Sequence, residues 1–433
     1  MIPDNLHQLQ SLRDLTRARP ASRTALLAFQ LRRLQQLVRH VYARVPYYRS
    51  LFDASGFHPD QFRSLADLPR IPITTRGDIQ SLAPEQVCAS GYAIDRLRCI
   101  QTSGSTATPV TIRRTLAEER LLLCHRVRAA GEYGLGLRSR RVQLDYFRPD
   151  TLRSLSQVQP YERLGILPRL LLDWQTPKAR IVEAVERFRA DILSGPPSVL
   201  SWLAAEFTDE DRRRMNFRLT FTGAETLTPA TRRQIERGFG APVADIYGSH
   251  EVVFIAMQRR NSAEYRVCED AVILEVLRDG RPAAPGESGE VVVTALHSFA
   301  MPFLRYRLGD EVTLGDAPCE GGDPCLTIRT ILGRTRDRFL LGDGRTLHAY
   351  ALGEAIRAHA GVRQFQLVQE APDAFRLHVV LYERATGIAD LIGVTLREAL
   401  GQGVSLRLAI ADQLAPVEGR KFQAFVPLLR DRA

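Results

Sequence analysis

The feature that most constrains the fold is an alternation of helical patterns and short apolar runs, extending from residue 100 to about residue 299. Apolar runs of strand length lie at residues 218–221, 243–246 and 291–294. The turn-rich stretch 279–289, flanked by apolar segments, predicts a β-hairpin. Alternation of helices with strands is typical of domains in which helices cover a sheet. The sequence therefore predicts an α/β layered domain.

An amphipathic helix is predicted near the amino terminus, over residues 25–44. Apolar side chains recur there at intervals of three or four residues, and arginines fill the other face. Pro46 is expected to stop this helix, because proline has no amide hydrogen to continue the ladder. The aromatic pair that follows, Tyr47 and Tyr48, is expected to anchor the core.

The length of 433 residues exceeds that of an ordinary single core, so two unequal domains are expected. We assign residues 1–335 to the large domain. Residues 336–433 form a small α+β domain, with a helix near residues 352–359 and strands near residues 364–369 and 375–381.

The composition argues against several classes of protein. No stretch approaches the roughly 20 apolar residues of a membrane helix, and residues 1–20 are too polar for a secretion signal, so a cytoplasmic location without membrane attachment is expected. Six cysteines without a CxxC pair indicate reduced thiols. The net charge of +10 comes from scattered arginines rather than a basic block, which disfavours nucleic acid and suits an anionic ligand such as ATP or CoA.

Lysine is rare in this chain: of the 59 basic residues only Lys178 and Lys421 are lysines. A planar guanidinium does not replace a compact ammonium at close quarters. A lysine in an arginine background therefore suggests a selected point charge. For Lys421, in the segment PVEGRKF, a solvated surface position is the alternative.

A hydroxyl-rich loop, QTSGSTATP, lies at residues 101–109 and precedes the strand-like residues 110–112. Successive backbone amides and hydroxyls in such a loop can bind phosphate oxygens. The sequence lacks the Walker pattern of a P-loop. An ordinary turn is the alternative interpretation.

Two further segments, FTGAE at residues 221–225 and DIYGSHE at residues 245–251, each follow a strand-like run. Glycine after a strand allows close approach to a flat ligand, an aromatic ring can cover a purine, and a carboxylate can hold Mg²⁺ together with phosphates. Farther on, LRYRLGD ends at Asp310 and LGRTRD ends at Asp337, and an aspartate after a glycine turn suits ribose hydroxyls. Taken singly, each segment also fits an ordinary surface loop.

The order TSGST, GAE, YGxxE, YRxGD, GRxxD and a terminal GxK resembles the adenylate-forming superfamily of acyl-CoA synthetases and peptide-synthetase adenylation domains. The opening LRRLQQLVRHVYARVPYYRSLF, followed by SLADLPRIPITTRGDI, resembles the phenylacetate-CoA ligase branch, which includes CapK-like proteins. The resemblance covers nearly the whole chain. It implies a large multi-layered α/β adenylate-forming domain followed by a small, mobile α+β domain.

The resemblance also implies roles for individual residues in binding ATP and Mg²⁺. Glu251 would coordinate Mg²⁺, Asp310 would bind the ribose hydroxyls, and Arg334 would assist at the ribose or phosphate. Residues Thr102, Ser103, Gly104, Ser105 and Thr106 would hold the phosphates, and Gly223, Ala224, Glu225, Tyr247 and Gly248 would surround the adenine.

The small domain is expected to carry the cation of the adenylation step. By the resemblance, Lys421 would bridge the carboxylate and the α-phosphate, where charge develops in the transition state. Asp337 would lie at the hinge, and rotation of the domain would then remove Lys421 in favour of a thioester-forming surface.

Two positions depart from the family pattern. Ala107 stands where the phosphate loop usually has a second glycine. His250 stands beside the Mg²⁺ carboxylate, where Thr or Ser is usual. His250 is either a titratable group near the acyl carbon or a structural substitution.

Relatives in this branch often carry a cluster of Cys and His that binds zinc. Here Cys268, Cys319 and Cys325 are the only nearby cysteines, and four ligands are hard to assemble from them. We expect no bound zinc.

The implied reaction is adenylation of a small, aromatic or hydrophobic acid followed by acyl transfer to CoA. The acid pocket is expected near Tyr146, Phe147, Gly195 and Pro196. One alternative replaces CoA with an amine, a hydroxyl or a carrier-protein thiol, and another is a nucleotide-binding scaffold without chemistry. The resemblance also suggests a homodimer.

Overall fold

The computed structural model describes residues 22–101, 110–145, 160–260, 262–316, 323–357, 359, 361–381, 387–401, 403–412, 414 and 424–428. The chain divides into two compact units. Unit 1 comprises Met1–Gly134 and Ile246–Ile331, and unit 2 comprises Leu135–Asp245 and Leu332–Ala433. The predicted domain division at residues 335 and 336 stays a prediction.

The helices in the described residues are α1 (Arg23–Arg44), α2 (Pro46–Ser55), α3 (Arg76–Gln80), α4 (Pro84–Val87), α5 (Leu116–Gly131), α6 (Pro160–Arg163), α7 (Lys178–Phe188), α8 (Pro197–Glu206), α9 (Asp209–Met215), α10 (Pro229–Phe239), α11 (Ala349–Arg357) and α12 (Ile388–Leu400). Short 3₁₀ helices lie at Pro59–Gln61, Leu65–Arg70 and Ile94–Arg96.

The strands in the described residues are β1 (Arg98–Gln101), β2 (Thr111–Arg114), β3 (Arg141–Asp145), β4 (Arg169–Asp173), β5 (Ile192–Gly195), β6 (Leu219–Gly223), β7 (Val243–Tyr247), β8 (Ala256–Gln258), β9 (Tyr265–Val267), β10 (Val272–Arg278), β11 (Arg281–Pro282), β12 (Ser288–Ala295), β13 (Tyr306–Leu314), β14 (Thr327–Arg334), β15 (Arg338–Leu340), β16 (Thr346–His348), β17 (Val362–Ala371), β18 (Ala374–Leu381), β19 (Ser405–Ile410) and β20 (Phe425–Val426).

The amino-terminal helix of unit 1 has the predicted extent. Ser22 caps it, because its side chain accepts a hydrogen bond from the amide of Ala25 at 3.2 Å. The helix ends at Arg44, and Pro46 begins α2, where a missing amide hydrogen costs nothing. The apolar face of α1 packs in the core of unit 1. The prediction over residues 25–44 is confirmed.

Tyr48 is the core anchor that the sequence predicts. Its side chain is 1% exposed. The hydroxyl donates to the carbonyl of Pro302 at 3.2 Å and accepts from the amide of Leu304 at 3.0 Å. This residue therefore ties α2 to the segment that leads into β13.

The sheet of unit 1 is mostly antiparallel. Its strands lie in the order β11-β10-β12-β13-β14-β9-β8. The strands β10 and β12 pair antiparallel from Val272 opposite Ala295 to Leu277 opposite Glu290, which confirms the predicted hairpin. Residues Ile246 and Tyr247 at the end of β7 pair with β8.

The sheet of unit 2 contains the parallel strands that the α/β pattern predicts. β4, β3, β5 and β6 lie side by side in this order and all run in the same direction. Helices α7, α8 and α10 cover this sheet, with apolar side chains such as Val185, Leu200 and Ile235 in the shared core. Burial of each such side chain stabilises the layer by roughly 1.5–3 kcal/mol.

The carboxyl-terminal part of unit 2 is a small α+β module. Its four-stranded sheet has the order β19-β18-β17-β20, in which β17 and β18 are antiparallel and the outer strands join in parallel. Helices α11 and α12 pack on it through residues such as Leu352, Ile356 and Leu396. The helix and two strands that the sequence predicts here are present.

We find no helix in the described ranges that is long and apolar enough to cross a membrane.

Candidate functional site

In unit 2, the glycine-rich segments of the sequence lie where parallel strands end. Strands β3, β5 and β6 run in parallel and end at Asp145, Gly195 and Gly223. Ligands of α/β sheets bind outside the carboxyl ends of parallel strands. Two of the segments that the sequence singles out, residues 195–196 and 223–225, therefore lie at one edge of the sheet.

Gly195 is a position where only glycine fits. A β-carbon there would lie 2.3 Å from the carbonyl oxygen of Leu144 on β3, well inside van der Waals contact. Pro196 follows as the cap residue of α8, so the chain turns from strand to helix at this edge. The close approach fixes the strand end that the sequence assigns to the acid pocket.

The loop after β6 holds its carboxylate against a helix amino terminus. Ala224 has φ +66°, a left-handed conformation that is unfavourable for alanine. The Oε2 atom of Glu225 accepts a hydrogen bond of 3.0 Å from the amide of Ser198 in the first turn of α8. This bond satisfies an amide that the helix leaves unpaired, and the charge favours the helix dipole.

The same carboxylate interacts electrostatically with the guanidinium of Arg357 on α11. Burial lowers the pKa of Arg357, and the carboxylates of Glu225 and Glu354 act in the opposite direction. Arg357 also donates to the hydroxyl of Thr231 at 3.4 Å. Glu225 thus interacts both with α8 and with the carboxyl-terminal module of unit 2.

In unit 1, Tyr247 and Asp310 form a direct contact. The phenolic hydroxyl of Tyr247, at the end of β7, donates a 2.9 Å hydrogen bond to Oδ2 of Asp310 on β13. Both residues are 7% exposed. The two residues that the resemblance assigns to adenine and ribose are therefore brought together.

Glu251 lies close to a second buried tyrosine. The hydroxyl of Tyr306 donates to Oε1 of Glu251 at 3.4 Å, and the two residues are 2% and 8% exposed. Burial, followed by the charge of Glu251, raises the pKa of Tyr306 far above its ordinary value. Its hydroxyl therefore remains a donor to the carboxylate at all ordinary pH values.

The backbone of the loop between β7 and β8 is compressed and strained. A β-carbon on Gly248 would lie 2.1 Å from the carbonyl oxygen of Val253. Val253 itself has φ +62°, which is a genuine outlier for a β-branched residue. Strain of this kind costs about 1–3 kcal/mol and persists only where surrounding contacts hold it.

Arg114 is a residue of this region that the sequence analysis missed. It is 2% exposed, and its Nη2 donates to the carbonyl oxygens of His250 and of Glu251, the latter at 2.7 Å. In the sequence, Val110 and Ile112 recur at a period of two, and this strand pattern could have indicated that Arg114 lies on the same inward face. His250, by contrast, is exposed.

Arg334 and Asp337 lie in unit 2 at the turn between β14 and β15. The amide of Asp337 donates to the carbonyl of Arg334 at 3.0 Å, and its own carbonyl accepts from the amide of Ala349 at 2.7 Å. The side chain of His348 donates to the carbonyl of Arg334 at 3.1 Å. The backbone around the expected hinge is thus closely hydrogen-bonded.

Comparison with known proteins identifies the family. A family model described as AMP-binding enzyme matches residues 166–300. The phenylacetate-coenzyme A ligase of Escherichia coli is 32% identical over 305 residues, which cover 68% of each chain. The chain belongs to the phenylacetate-CoA ligase family.

Two further comparisons agree with this. The phenylacetate-coenzyme A ligase of Thermus thermophilus is 28% identical over 434 residues, covering 87% of this chain and 93% of the relative. A crystal structure of 2-hydroxyisobutyryl-CoA ligase in the postadenylation state has the same fold, with a TM-score of 0.77 and 20% identity over 94% of this chain and 89% of that chain. The protein is an AMP-forming, adenylate-forming ligase, and the predicted family and fold class are confirmed.

Several predicted site residues of this ligase lie outside the described residues. They are the phosphate loop residues 102–106, the acid-pocket residues Tyr146 and Phe147, and Lys421. Their assignments stay predictions.

The other lysine of the ligase has a structural contact. The ammonium of Lys178, at the start of α7, lies 2.8 Å from Oδ2 of Asp211 on α9. Although burial acts in the opposite direction, hydrogen bonds from Lys178 and Thr208 lower the pKa of Asp211 to about 2. Lys178 is therefore part of a partly exposed ion pair between α7 and α9, and is not one of the predicted site residues.

No group of three or more His, Cys, Asp or Glu side chains converges on a metal position within the described part of the ligase. Cys268 and Cys325 are both buried, and Cys319 lies outside the described residues. The expectation that zinc is absent stays a prediction.

Proposed function

We propose that this ligase activates a small aromatic or hydrophobic carboxylic acid with ATP and transfers the acyl group to CoA. Membership of the phenylacetate-CoA ligase family carries the proposal. The arrangement of glycine-rich segments at the carboxyl ends of parallel strands supports it, since this edge is where such sheets bind ligands.

The proposed reaction has two steps, adenylation of the acid and formation of the thioester. In the first, a carboxylate oxygen of the acid attacks the α-phosphorus of ATP, the bond to the β-phosphate oxygen breaks, and pyrophosphate leaves. In the second, the sulfur of CoA attacks the acyl carbon, the bond to the AMP oxygen breaks, and the thiol proton passes to solvent. The products are the thioester, AMP and pyrophosphate.

For the nucleoside, we assign adenine to Tyr247, Gly248 and residues 223–225, and the ribose to Asp310 with help from Arg334. The hydrogen bond from Tyr247 to Asp310 supports this assignment because it fixes the ring and the carboxylate relative to each other. Two groups held in one orientation bind a nucleoside at a lower entropic cost than mobile ones.

For the metal, we assign Mg²⁺ to Glu251. Carboxylate and phosphate oxygens are the ligands that Mg²⁺ prefers, and it usually takes only one or two carboxylates from the protein. The buried carboxylate of Glu251 fits this donor set, and the hydroxyl of Tyr306 helps to orient it. When bound, the metal would neutralise charge on the phosphates.

For the phosphates and the chemical step, we assign residues 102–106 to the triphosphate and Lys421 to the bridge between carboxylate and α-phosphate. Loss of one such preorganised donor typically costs of the order of 10²–10³ in rate. We also propose that residues 336–433 act as a mobile lid with its hinge at Asp337, as the family pattern implies.

For the acid, we assign the pocket to Tyr146, Phe147, Gly195 and Pro196. The position of Gly195 and Pro196 supports this, because they lie where β5 ends, at the edge of the parallel strands where such sheets bind ligands. We further propose that the ligase is cytoplasmic and forms a homodimer. Light scattering of the purified protein would test the dimer, and fractionation of cells would test the location.

A second acceptor is worth testing because His250 departs from the family pattern. The exposed imidazole next to Glu251 is suited to accept a proton from an amine or hydroxyl nucleophile. The alternative product would be an amide or ester instead of a thioester.

Exchange of labelled pyrophosphate into ATP, measured across a panel of carboxylic acids, tests the proposal. We expect exchange with aromatic or hydrophobic acids in the wild type and a loss of about 10²–10³ in Lys421→Ala. Addition of CoA should then give a thioester detectable by mass. Exchange with no acid would refute adenylation, and exchange without thioester but with an amide or ester would favour the alternative acceptor.

A further inference from the structure

Arg114 lies on the buried face of the strand that follows the proposed phosphate loop. In β2 the side chains alternate, so that Ile112 and Arg114 point inwards while Thr111 and Arg113 are partly exposed. A guanidinium that is 2% exposed has lost most of its hydration and must be compensated by acceptors or carboxylates. The hydrogen-bond partners of Arg114 therefore indicate what its buried charge does in the fold.

These contacts go to the main chain of two consecutive residues in the loop that carries Glu251. Nη2 of Arg114 donates to the carbonyl oxygens of His250 and Glu251. The pair lies 136 and 137 residues away in the sequence, so the contact is purely tertiary. A charged donor makes hydrogen bonds about twice as strong as a neutral one.

The loop needs such a contact because its conformation is not a relaxed one. Val253 is held at φ +62°, and Gly248 passes so close to the carbonyl of Val253 that no side chain fits there. Strained backbone relaxes unless neighbouring groups determine its position. Arg114 holds the middle of this loop from the side of β2.

The positive charge of Arg114 is balanced by nearby carboxylates. Burial lowers its pKa, while Glu118, Glu119 and Glu251 act in the opposite direction. Glu118 is itself fixed, since its Oε1 accepts from the amides of Phe299 and Ala300 at 2.7 and 3.0 Å. The guanidinium of Arg114 is thus held in one position, and the carboxylate of Glu118 that balances its charge is held in place as well.

We propose that Arg114 is a positioning residue that fixes the backbone of residues 250–251 and thereby sets the carboxylate of Glu251 for Mg·ATP. The inference rests on the proposed function, because it takes Glu251 as the group that meets the metal. In this inference Arg114 acts through the backbone of His250 and Glu251, to which it donates, and not as a ligand of the metal itself. Partners of a metal-binding side chain typically change metal affinity about 10- to 100-fold when they are removed.

The test is binding of α,β-methylene-ATP, which resists cleavage at the first step, titrated against MgCl₂ and in EDTA. In Arg114→Met we expect the Mg²⁺ concentration for half-maximal binding to rise about 10-fold, with metal-free binding changed less than about twofold. Arg114→Lys keeps the charge but not the planar fork, so its shift should be intermediate. Arg113→Met, on the exposed side of the same strand, should match the wild type.

A double substitution separates positioning from general stability. In a Glu251→Gln background, Arg114→Lys should add no further shift in the Mg²⁺ dependence, because both changes act on one carboxylate. An unchanged Mg²⁺ dependence in Arg114→Lys, or an equal loss of binding with and without Mg²⁺, would overturn the inference. A wild type that binds the analogue but exchanges pyrophosphate with no acid would instead count against the proposed function and leave the positioning result standing.

Discussion

The hydroxyl of Tyr247 donates a hydrogen bond of 2.9 Å to Oδ2 of Asp310, and each residue is 7% exposed. The two residues are 63 positions apart, at the end of β7 and in β13 of unit 1. A tyrosine that would cover adenine and an aspartate that would bind ribose are thus coupled by one buried hydrogen bond. A substitution of either residue should therefore weaken the binding of both the adenine and the ribose.

The first prediction concerns Tyr247→Phe, which removes only this donor. A hydrogen bond to a charged group contributes about 1.5–3 kcal/mol, so affinity for ATP should fall about 10-fold or more. Affinity for 2′,3′-dideoxy-ATP should change less than about twofold, because that analogue lacks the hydroxyls assigned to Asp310. Calorimetric titration of both nucleotides measures the difference.

Tyr48→Phe is the matched control for this prediction. It also removes a buried hydroxyl with two hydrogen bonds, but in the core of unit 1. It should lower the free energy of unfolding by about 1–3 kcal/mol without changing the ratio of the two affinities. Equal losses for both nucleotides in Tyr247→Phe would show that Asp310 does not act through the ribose.

The second prediction concerns Gly248→Ala. The added β-carbon would meet the carbonyl of Val253 at 2.1 Å, so the backbone of the loop must move and Glu251 with it. We expect a loss of about 1–3 kcal/mol in unfolding free energy, and pyrophosphate exchange reduced beyond what that loss explains. Urea unfolding and exchange assays under identical conditions separate the two effects.

Gly131→Ala provides the comparison, since a β-carbon at the end of α5 meets nothing within 4 Å. There alanine should be neutral or stabilise the helix by up to about 1 kcal/mol. If both substitutions behave alike, the close approach at Gly248 is not a constraint on the loop.

The third prediction concerns the electrostatic interaction between Glu225 and Arg357 in unit 2. Glu225→Ala should cost about 1–2 kcal/mol, because it removes the acceptor for the amide of Ser198 at the start of α8. Glu225→Gln keeps an acceptor oxygen and should cost less. In a cycle with Arg357→Met, the Gln substitution should show a coupling of about 0.5–3 kcal/mol.

Glu183 and Arg187 form the control pair on α7. Their atoms lie 2.9 Å apart, but the side chains are 45% and 79% exposed. An exposed pair at this spacing couples by only about 0.3–0.5 kcal/mol. A coupling for Glu225 and Arg357 no larger than this would mean that the carboxyl-terminal module does not interact energetically with the loop at residues 223–225.

Local patterns were sufficient to predict much of the fold. The apolar runs at FTGAE and DIYGSHE do form β6 and β7. They were predictable because a short run of apolar residues indicates a buried strand. The same holds for α1, whose end is set by Pro46. These elements depend on neighbouring residues, which is why a single sequence reveals them.

Long-range contacts could not be predicted in the same way. Nothing in the local sequence shows which partners Arg114 and Lys178 have, yet one bonds the loop of Glu251 and the other pairs with Asp211. Positive φ at Ala224 and Val253 was also hidden, because sequence reasoning expects glycine at such positions. Packing imposed these conformations on residues that do not favour them.

The last prediction concerns the pH dependence of stability through His297, which is 5% exposed in unit 1. Its Nδ1 accepts from Arg33 at 3.1 Å, its Nε2 donates to the carbonyl of Asp270 at 2.8 Å, and the ring of His125 lies 5.8 Å away. Burial, and then the charges of Arg33 and His125, lower its pKa from 6.5 to about 3. Between these values the unfolded chain binds a proton that the folded protein does not, so stability is complete above pH 6.5 and falls as the pH drops.

The expected loss between pH 6.5 and pH 5 is about 2 kcal/mol, at about 1.4 kcal/mol per pH unit for one proton. Glutamine cannot titrate but can still donate to the carbonyl of Asp270, so His297→Gln should reduce the slope by about one proton. Urea unfolding at a series of pH values measures both slopes. Parallel curves for the wild type and His297→Gln would mean that the imidazole is protonated equally in both states, because only a difference in proton binding makes stability depend on pH.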